Sequence, residues 1–244
     1  MPRRRKDAAI APAASALEED IIFGRLRPLA RLTEEDLMGR FELTRHLSRR
    51  VLQQLEGLGL VTSDSTGGTM VRAFGLDEIE HIYEIRHVLQ DCAMRRMPLP
   101  APAEFVAQLL QIHKRHLAAV RRNDLSAIFR TNEELHDAIF LACGNPVLAG
   151  AIKRYAWLTH GIRSRLFADP VHLKRAAVEH LRLITALERG DRQGLVEINR
   201  AHVSRPKTAY IALQRAIDLD TATHGEENAI VKSSTRTGVS RRET

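Results

Sequence analysis

The sequence predicts a mainly α chain in two parts, an N-terminal winged helix-turn-helix and a C-terminal all-helical bundle. Three observations carry that expectation. Over residues 33–74 a helix with acids in its first turn, a two-residue connection, a second helix and a glycine-centred pair of strands follow in short order. From Gly75 onward the apolar spacing becomes three and four residues and stays so to about residue 215. No strand pattern interrupts that second stretch.

The chain opens with a basic stretch, Pro2-Arg3-Arg4-Arg5-Lys6, followed by alanines. It imitates a secretion signal but lacks the apolar segment one needs, so residues 1–12 read as a flexible basic arm able to graze phosphates. A helix is expected from about Ala14 to Gly24. Thr33 then caps a second helix that runs to Phe41, with Glu34, Glu35 and Asp36 in its first turn. Only Glu42 and Leu43 separate it from the third helix, which Thr44 caps.

That third helix organises the rest. Leu47, Val51, Leu55 and Leu58 make one side apolar, while Arg45, His46, Arg49 and Arg50 occupy the opposite side with hardly a carboxylate among them. Arginines on an exposed helix face suit the major groove, because a guanidinium bridges guanine acceptors or clasps phosphates. A solvated amphipathic helix is the plain alternative. Gly59 closes the helix, and 60–74 alternates around Gly67-Gly68 as two short strands, a wing whose Gly68 is a further DNA contact. The DNA-binding set is therefore Thr44, Arg45, His46, Arg49, Arg50 and Gly68.

Length and charge agree with this layout. The 244 residues suit one large domain or two small ones, and the motifs favour two: 13–74, a linker at 75–76, and 77–217, with a disordered tail over 218–244. A net charge of +7 and a pI near 9.9 favour an anionic partner such as nucleic acid. Aromatic residues, at 5%, are too few for a base-stacking platform on single strands. Cys92 and Cys143 form no CxxC pair and point to a reducing cytosol, and no run is long and apolar enough to span a membrane.

Residues 13–74 resemble the GntR family of bacterial transcription regulators. Leu43, Thr44, Arg45 and Arg49 match that family's apolar residue followed by Ser/Thr-Arg and a second Arg four positions on. Gly24 to Leu32 stands where the family has Gly, then Pro-Gly, then Leu. Leu29 takes the place of the usual glycine, Ser48 that of a Val or Leu, and Arg50 that of a glutamate. The resemblance implies a homodimer on an inverted repeat of operator DNA, acting as a cytoplasmic repressor.

In the second part Asp77 caps a long helix marked by Ile79, Ile82, Ile85 and Leu89, and further helical patterns cover 102–122, 124–143, 146–167, 171–189 and 191–215. Asp124, Asn145-Pro146, Pro170 and Gly190-Asp191 punctuate them. Three histidines share apolar faces on different helices. His136 lies in step with Ile128, Asn132 and Phe140, His180 with Leu173, Ala177, Ile184 and Leu187, and His202 with Leu195 and Ile198. One inward histidine is usually a hydrogen-bonded core residue, whereas three in one core suit a divalent metal. Asn132, one turn before His136, adds a carbonyl oxygen or holds a metal-bound water.

These residues resemble the C-terminal FCD domain of FadR-type GntR regulators, over about 77–215. Asn132 and His136 match an Asp/Asn four positions before a His, His180 a second His, and His202 a third that follows it by 22 residues. Leu135 stands where the family favours Phe, and Pro206 is expected to kink the last helix. The resemblance implies a divalent metal, zinc first with nickel or manganese as alternatives, and a cavity above it for a small organic acid. Arg86 matches the arginine of the family's first effector-domain helix, and Tyr83 and Arg163 are further candidate effector contacts. Two rival readings are a three-histidine metalloenzyme and a purely structural metal. The absence of HExxH, with Glu133 and Glu134 expected to point away from His136, counts against the enzyme.

Overall fold

The computed structural model describes residues 9–63, 68–164, 169–212 and 215. It resolves into two compact units, Met1–Lys207 and Thr208–Thr244. In the second, 208–212 is helical, and the predicted disordered tail lies outside the described residues.

Helix α1 (Ile10–Ile22) starts within the stretch expected to be a loose arm. The reason is burial, since Ile10, Ala13, Ala14 and Leu17 all turn into one core, and Pro12 falls in the first turn where its missing N–H costs little. β1 (Arg31–Leu32) follows, then α2 (Glu34–Phe41) and α3 (Arg45–Gly57). Thr33 caps α2 reciprocally: its Oγ1 accepts from the Asp36 amide at 3.0 Å, and Asp36 Oδ2 accepts from the Thr33 amide at 3.2 Å. Glu42 adopts φ +53° to turn the chain into α3. Thr44 takes the N-cap position of α3 as expected, but its side chain makes no capping hydrogen bond.

Leu47, Val51 and Leu55 bury the apolar side of α3 against Leu17, Leu37 and Leu43. The helix ends in a Schellman arrangement around Gly59 at φ +73°: Gly59 N–H bonds Glu56 O at 2.8 Å and Leu60 N–H bonds Leu55 O at 3.0 Å. β2 (Val61–Ser63) and β3 (Thr69–Val71) pair antiparallel; of the turn expected at Gly67-Gly68, the first residue lies, with 64–66, outside the described residues. The sheet gains a third strand that hydrophobic alternation did not reveal, because β1 is only two residues long. It pairs antiparallel with β3, giving the order β1-β3-β2.

The helical part contains α4 (Leu76–Arg96), α5 (Ala103–Arg121), α6 (Leu125–Leu141), α7 (Pro146–Leu158), α8 (His160–Ser164), α9 (Pro170–Arg189) and α10 (192–207). Gly75, rather than Asp77, holds the N-cap position of α4. The helix expected over 146–167 breaks at Thr159, whose hydroxyl donates to Ala156 O at 2.9 Å and accepts from Arg86. Helical structure continues on both sides of Pro206. Met94, Leu109, Leu135, Ile139, Leu183 and Leu187 form the centre of the bundle core, with α5 packed on α6 and α9 and α4 packed on α7.

The winged-helix elements and the bundle meet within the first unit. Ile22 joins Ala119, Ile128, Phe129 and Leu173 in a small apolar cluster, and Trp157 packs on both this cluster and the winged-helix core. Glu19 of α1 accepts from Ser126 Oγ at 2.9 Å and from Arg130 at 3.1 Å, both on α6. Among the described residues no helix is long and apolar enough to cross a membrane.

Candidate metal centre and nucleic-acid interface

Three helices bring the three histidines together. His136 on α6, His180 on α9 and His202 on α10 each offer a ring nitrogen, and these atoms lie within 4.8 Å of one another. His180 is fully buried, and neither of its ring nitrogens has a hydrogen-bond partner. Burial first, and then the neighbouring imidazoles, hold it well below the ordinary histidine pKa, which favours the neutral ring with one nitrogen lone pair to offer.

His202 is oriented from behind. Its Nδ1 lies 2.8 Å from Glu179 Oε2, and Glu179 is itself buried and paired with Arg205. A carboxylate there accepts a hydrogen bond from the Nδ1–H and leaves the bare Nε2 directed at the group, where it stands 3.1 Å from His136 Nε2. Orphaned neutral imidazole nitrogens next to a carboxylate-oriented histidine fit a borderline-soft divalent ion. His136, His180 and His202 would hold it, and the ion would supply Lewis acidity toward an oxygen ligand.

Beside the group is a cavity of about 50 Å³ lined by residues that include Arg86, Gln90, His116, Asn132, His136 and His202. Asn132 is buried there, its amide donating to Glu133 Oε1 at 2.9 Å. Arg86 is buried and donates from Nη1 to Thr159 Oγ1 at 2.8 Å. Tyr83 does not line the cavity: it is fully buried, with its ring centre 4.8 Å from the Arg86 guanidinium. Arg163 belongs to α8, and its side chain lies outside the described residues. Glu133 departs from expectation, since it faces the cavity wall and stands 3.2 Å from His160 Nε2.

Sequence reasoning missed Glu179, His116 and Thr159. Glu179 left a trace, an acid next to His180 in a helix whose neighbouring positions are apolar. His116 and Thr159 left none, because their roles depend on residues 15 and 73 positions away.

On the winged helix, Thr44, Arg45, His46, Arg49 and Arg50 are all exposed along α3, while Gly68 lies immediately before β3. The face is less free of carboxylates than its own helix suggests. Glu34 of α2 accepts from Arg49 Nε at 2.8 Å and stands 3.5 Å from Arg45 Nε, and Glu35 lies 3.5 Å from Arg45 Nη2.

A winged helix with arginines along its exposed third helix, placed ahead of a helical domain with an internal cavity, defines a transcription regulator rather than an enzyme. The chain belongs to the gntR family of bacterial regulatory proteins, which matches residues 10–71, and carries the FCD domain over residues 81–205. It is 28% identical over 200 residues to the HTH-type transcriptional regulator BphR of Paraburkholderia xenovorans (strain LB400), covering 77% of this chain and 79% of that one. Its fold is similar to that of E. coli McbR/YncC, with a TM-score of 0.73 at 18% identity over 84% of this chain and 98% of that one. A GntR transcriptional regulator from Rhodococcus sp. RHA1 gives 0.69, also at 18% identity, covering 84% of this chain and 98% of that one.

Proposed function

We propose that this regulator senses a small organic acid through a divalent metal held by His136, His180 and His202, and that the acid changes its affinity for operator DNA. The observation that carries the reading is the convergence of three imidazoles beside a cavity that also contains a buried arginine. An ion with an open position and the Arg86 guanidinium each attract a carboxylate, and together they select for one. Asn132 adds a carbonyl oxygen or positions a metal-bound water. Zinc suits the donor set, with nickel and manganese as alternatives.

The packing supports a link from cavity to DNA-binding half. Arg86 is tied to Thr159, which ends α7, and the two residues before it reach the winged helix. Trp157 packs on the winged-helix core. Leu158 lies so close to Gly59, at the end of α3, that a Cβ there would come within 2.5 Å of Leu158 Cδ2. An acid that draws Arg86 from Thr159 loosens the end of α7 against the end of the reading helix. On the DNA side Arg45, Arg49, Thr44, His46, Arg50 and Gly68 form the contact set, and the protein acts as a cytoplasmic homodimeric repressor on an inverted repeat.

The test is operator affinity, read by fluorescence anisotropy against an acid library, with and without chelator. At least one acid should change the affinity, and chelation should remove its effect. A library without effect on metal-loaded protein would reduce the histidines to a structural site.

A further inference from the structure

Gln90 lies one helical turn after Arg86 on α4, so the two side chains share a face, and both line the cavity beside the three histidines. Gln90 is 2% exposed, and an amide so enclosed must find its hydrogen bonds within the protein or in what the cavity holds. Its oxygen is met by α10, where Asn199 Nδ2 donates to Gln90 Oε1 at 3.2 Å. At the next position on each helix Arg200 Nε donates to Asp91 Oδ2 at 2.7 Å, which holds α10 in register on α4. Asn199 lies outside the cavity lining, so this bond turns the Gln90 oxygen away from the cavity and the NH2 toward it. Among the described residues nothing accepts from that NH2.

The direction of the pair follows from what surrounds Asn199. That residue is 1% exposed, and its Oδ1 is sealed in without a partner. Turning both amides over would satisfy this oxygen, since Gln90 Nε2 would then donate to it, but would leave both N–H groups of Asn199 buried without an acceptor. Folded proteins leave a buried carbonyl oxygen unpaired more readily than a buried N–H. Asn199 therefore donates, and Gln90 accepts from it.

We propose that Gln90 is a specificity-determining residue of the cavity: its NH2 donates to a second oxygen of the acid, beyond the carboxylate that Arg86 takes, and Asn199 is the positioning residue that aims it. This rests on the acid-sensing reading of the cavity. The guanidinium of Arg86 and the NH2 of Gln90 are both donors, so the second ligand group they select is one that accepts, a carbonyl or hydroxyl oxygen. An ammonium at that point would meet donors with nothing to take its protons, and a plain alkyl chain would leave the buried NH2 unpaired. The chemical class is an oxo or hydroxy acid, not an amino acid or an unsubstituted alkyl acid.

The test uses the full-length, zinc-loaded protein and two matched pairs of probes, propanoate with 2-oxopropanoate and butanoate with 2-oxobutanoate, titrated by calorimetry. Wild type should bind each oxo acid about tenfold or more tighter than its parent acid. Gln90→Leu should lower that advantage by about tenfold while the parent acids bind no more weakly than before. Asn199→Asp can only accept from Gln90 and so turns the Gln90 carbonyl into the cavity; it should lose the advantage although the Gln90 side chain is still present. Equal binding of oxo and parent acids by wild type, or an undiminished advantage in a folded Gln90→Leu, would overturn the role of Gln90 and leave the acid cavity standing. An undiminished advantage in a folded Asn199→Asp would overturn the aiming by Asn199. Wild type that binds none of the four probes would sink the acid-sensing reading and the role of Gln90 with it.

Discussion

Glu179 Oε2 stands 2.8 Å from His202 Nδ1, joining a buried carboxylate to one of the three converging imidazoles. The pair decides which nitrogen of His202 faces the group, and it does so from the same helix that carries His180. Glu179→Gln keeps the shape and removes the charge that favours an Nδ1 proton. Zinc affinity should drop by about ten- to a hundredfold in a chelator competition. An unchanged affinity would make the pair a core ion pair with no bearing on metal.

Arg45 and Arg49 both lean on Glu34, so the reading helix meets DNA with its arginines already held in place from α2. Replacing either arginine by Ala should weaken specific operator binding by about 1–3 kcal/mol while circular dichroism stays normal. A gel-shift titration with wild-type affinity would remove α3 from the interface.

Much of the winged helix was legible because its determinants are local. Thr33 and Asp36 lie three residues apart, the Leu47-Val51-Leu55 stripe follows helical spacing, and Gly59 stands where a helix must end. The three histidines were legible for the same reason, each in step with apolar neighbours on its own helix. What escaped was non-local: the two-residue β1, the break at Thr159 that Arg86 supports from α4, the Thr131 hydroxyl beside His116, and the carboxylates of α2 on arginines of α3. Spacing along one helix says nothing about a partner on another.

Ser48 is a departure from the family pattern with a visible consequence. It is fully buried in α3, and its hydroxyl has no partner. Ser48→Val removes an unsatisfied polar atom and adds apolar volume, so the melting temperature should rise, with a gain of about 1 kcal/mol in chemical denaturation. A loss of stability would mean that the surrounding core has no room for the added methyl groups.

Acid should destabilise the metal-free protein. Burial pushes His116 down to about 4 and holds His180 well below the ordinary range, with His113, His136 and His202 as their ionisable neighbours. In the unfolded chain both titrate near about 6.5, so between about pH 6.5 and 4 the unfolded state binds more protons and stability falls as pH falls. Chelator-treated protein should hold its melting temperature above about pH 6.5 and lose it steadily below, less steeply in His116→Phe. A flat profile from pH 7 to 4.5 would show that these rings do not stay neutral on folding.

The central claim is that His136, His180 and His202 form one metal centre, and the metal content of the protein tests it most directly. Elemental analysis of protein purified without chelator should find about one divalent ion per chain, with most of it lost in a folded His202→Ala. Wild-type protein without metal, even after dialysis against zinc, would contradict the account and leave three core histidines in its place.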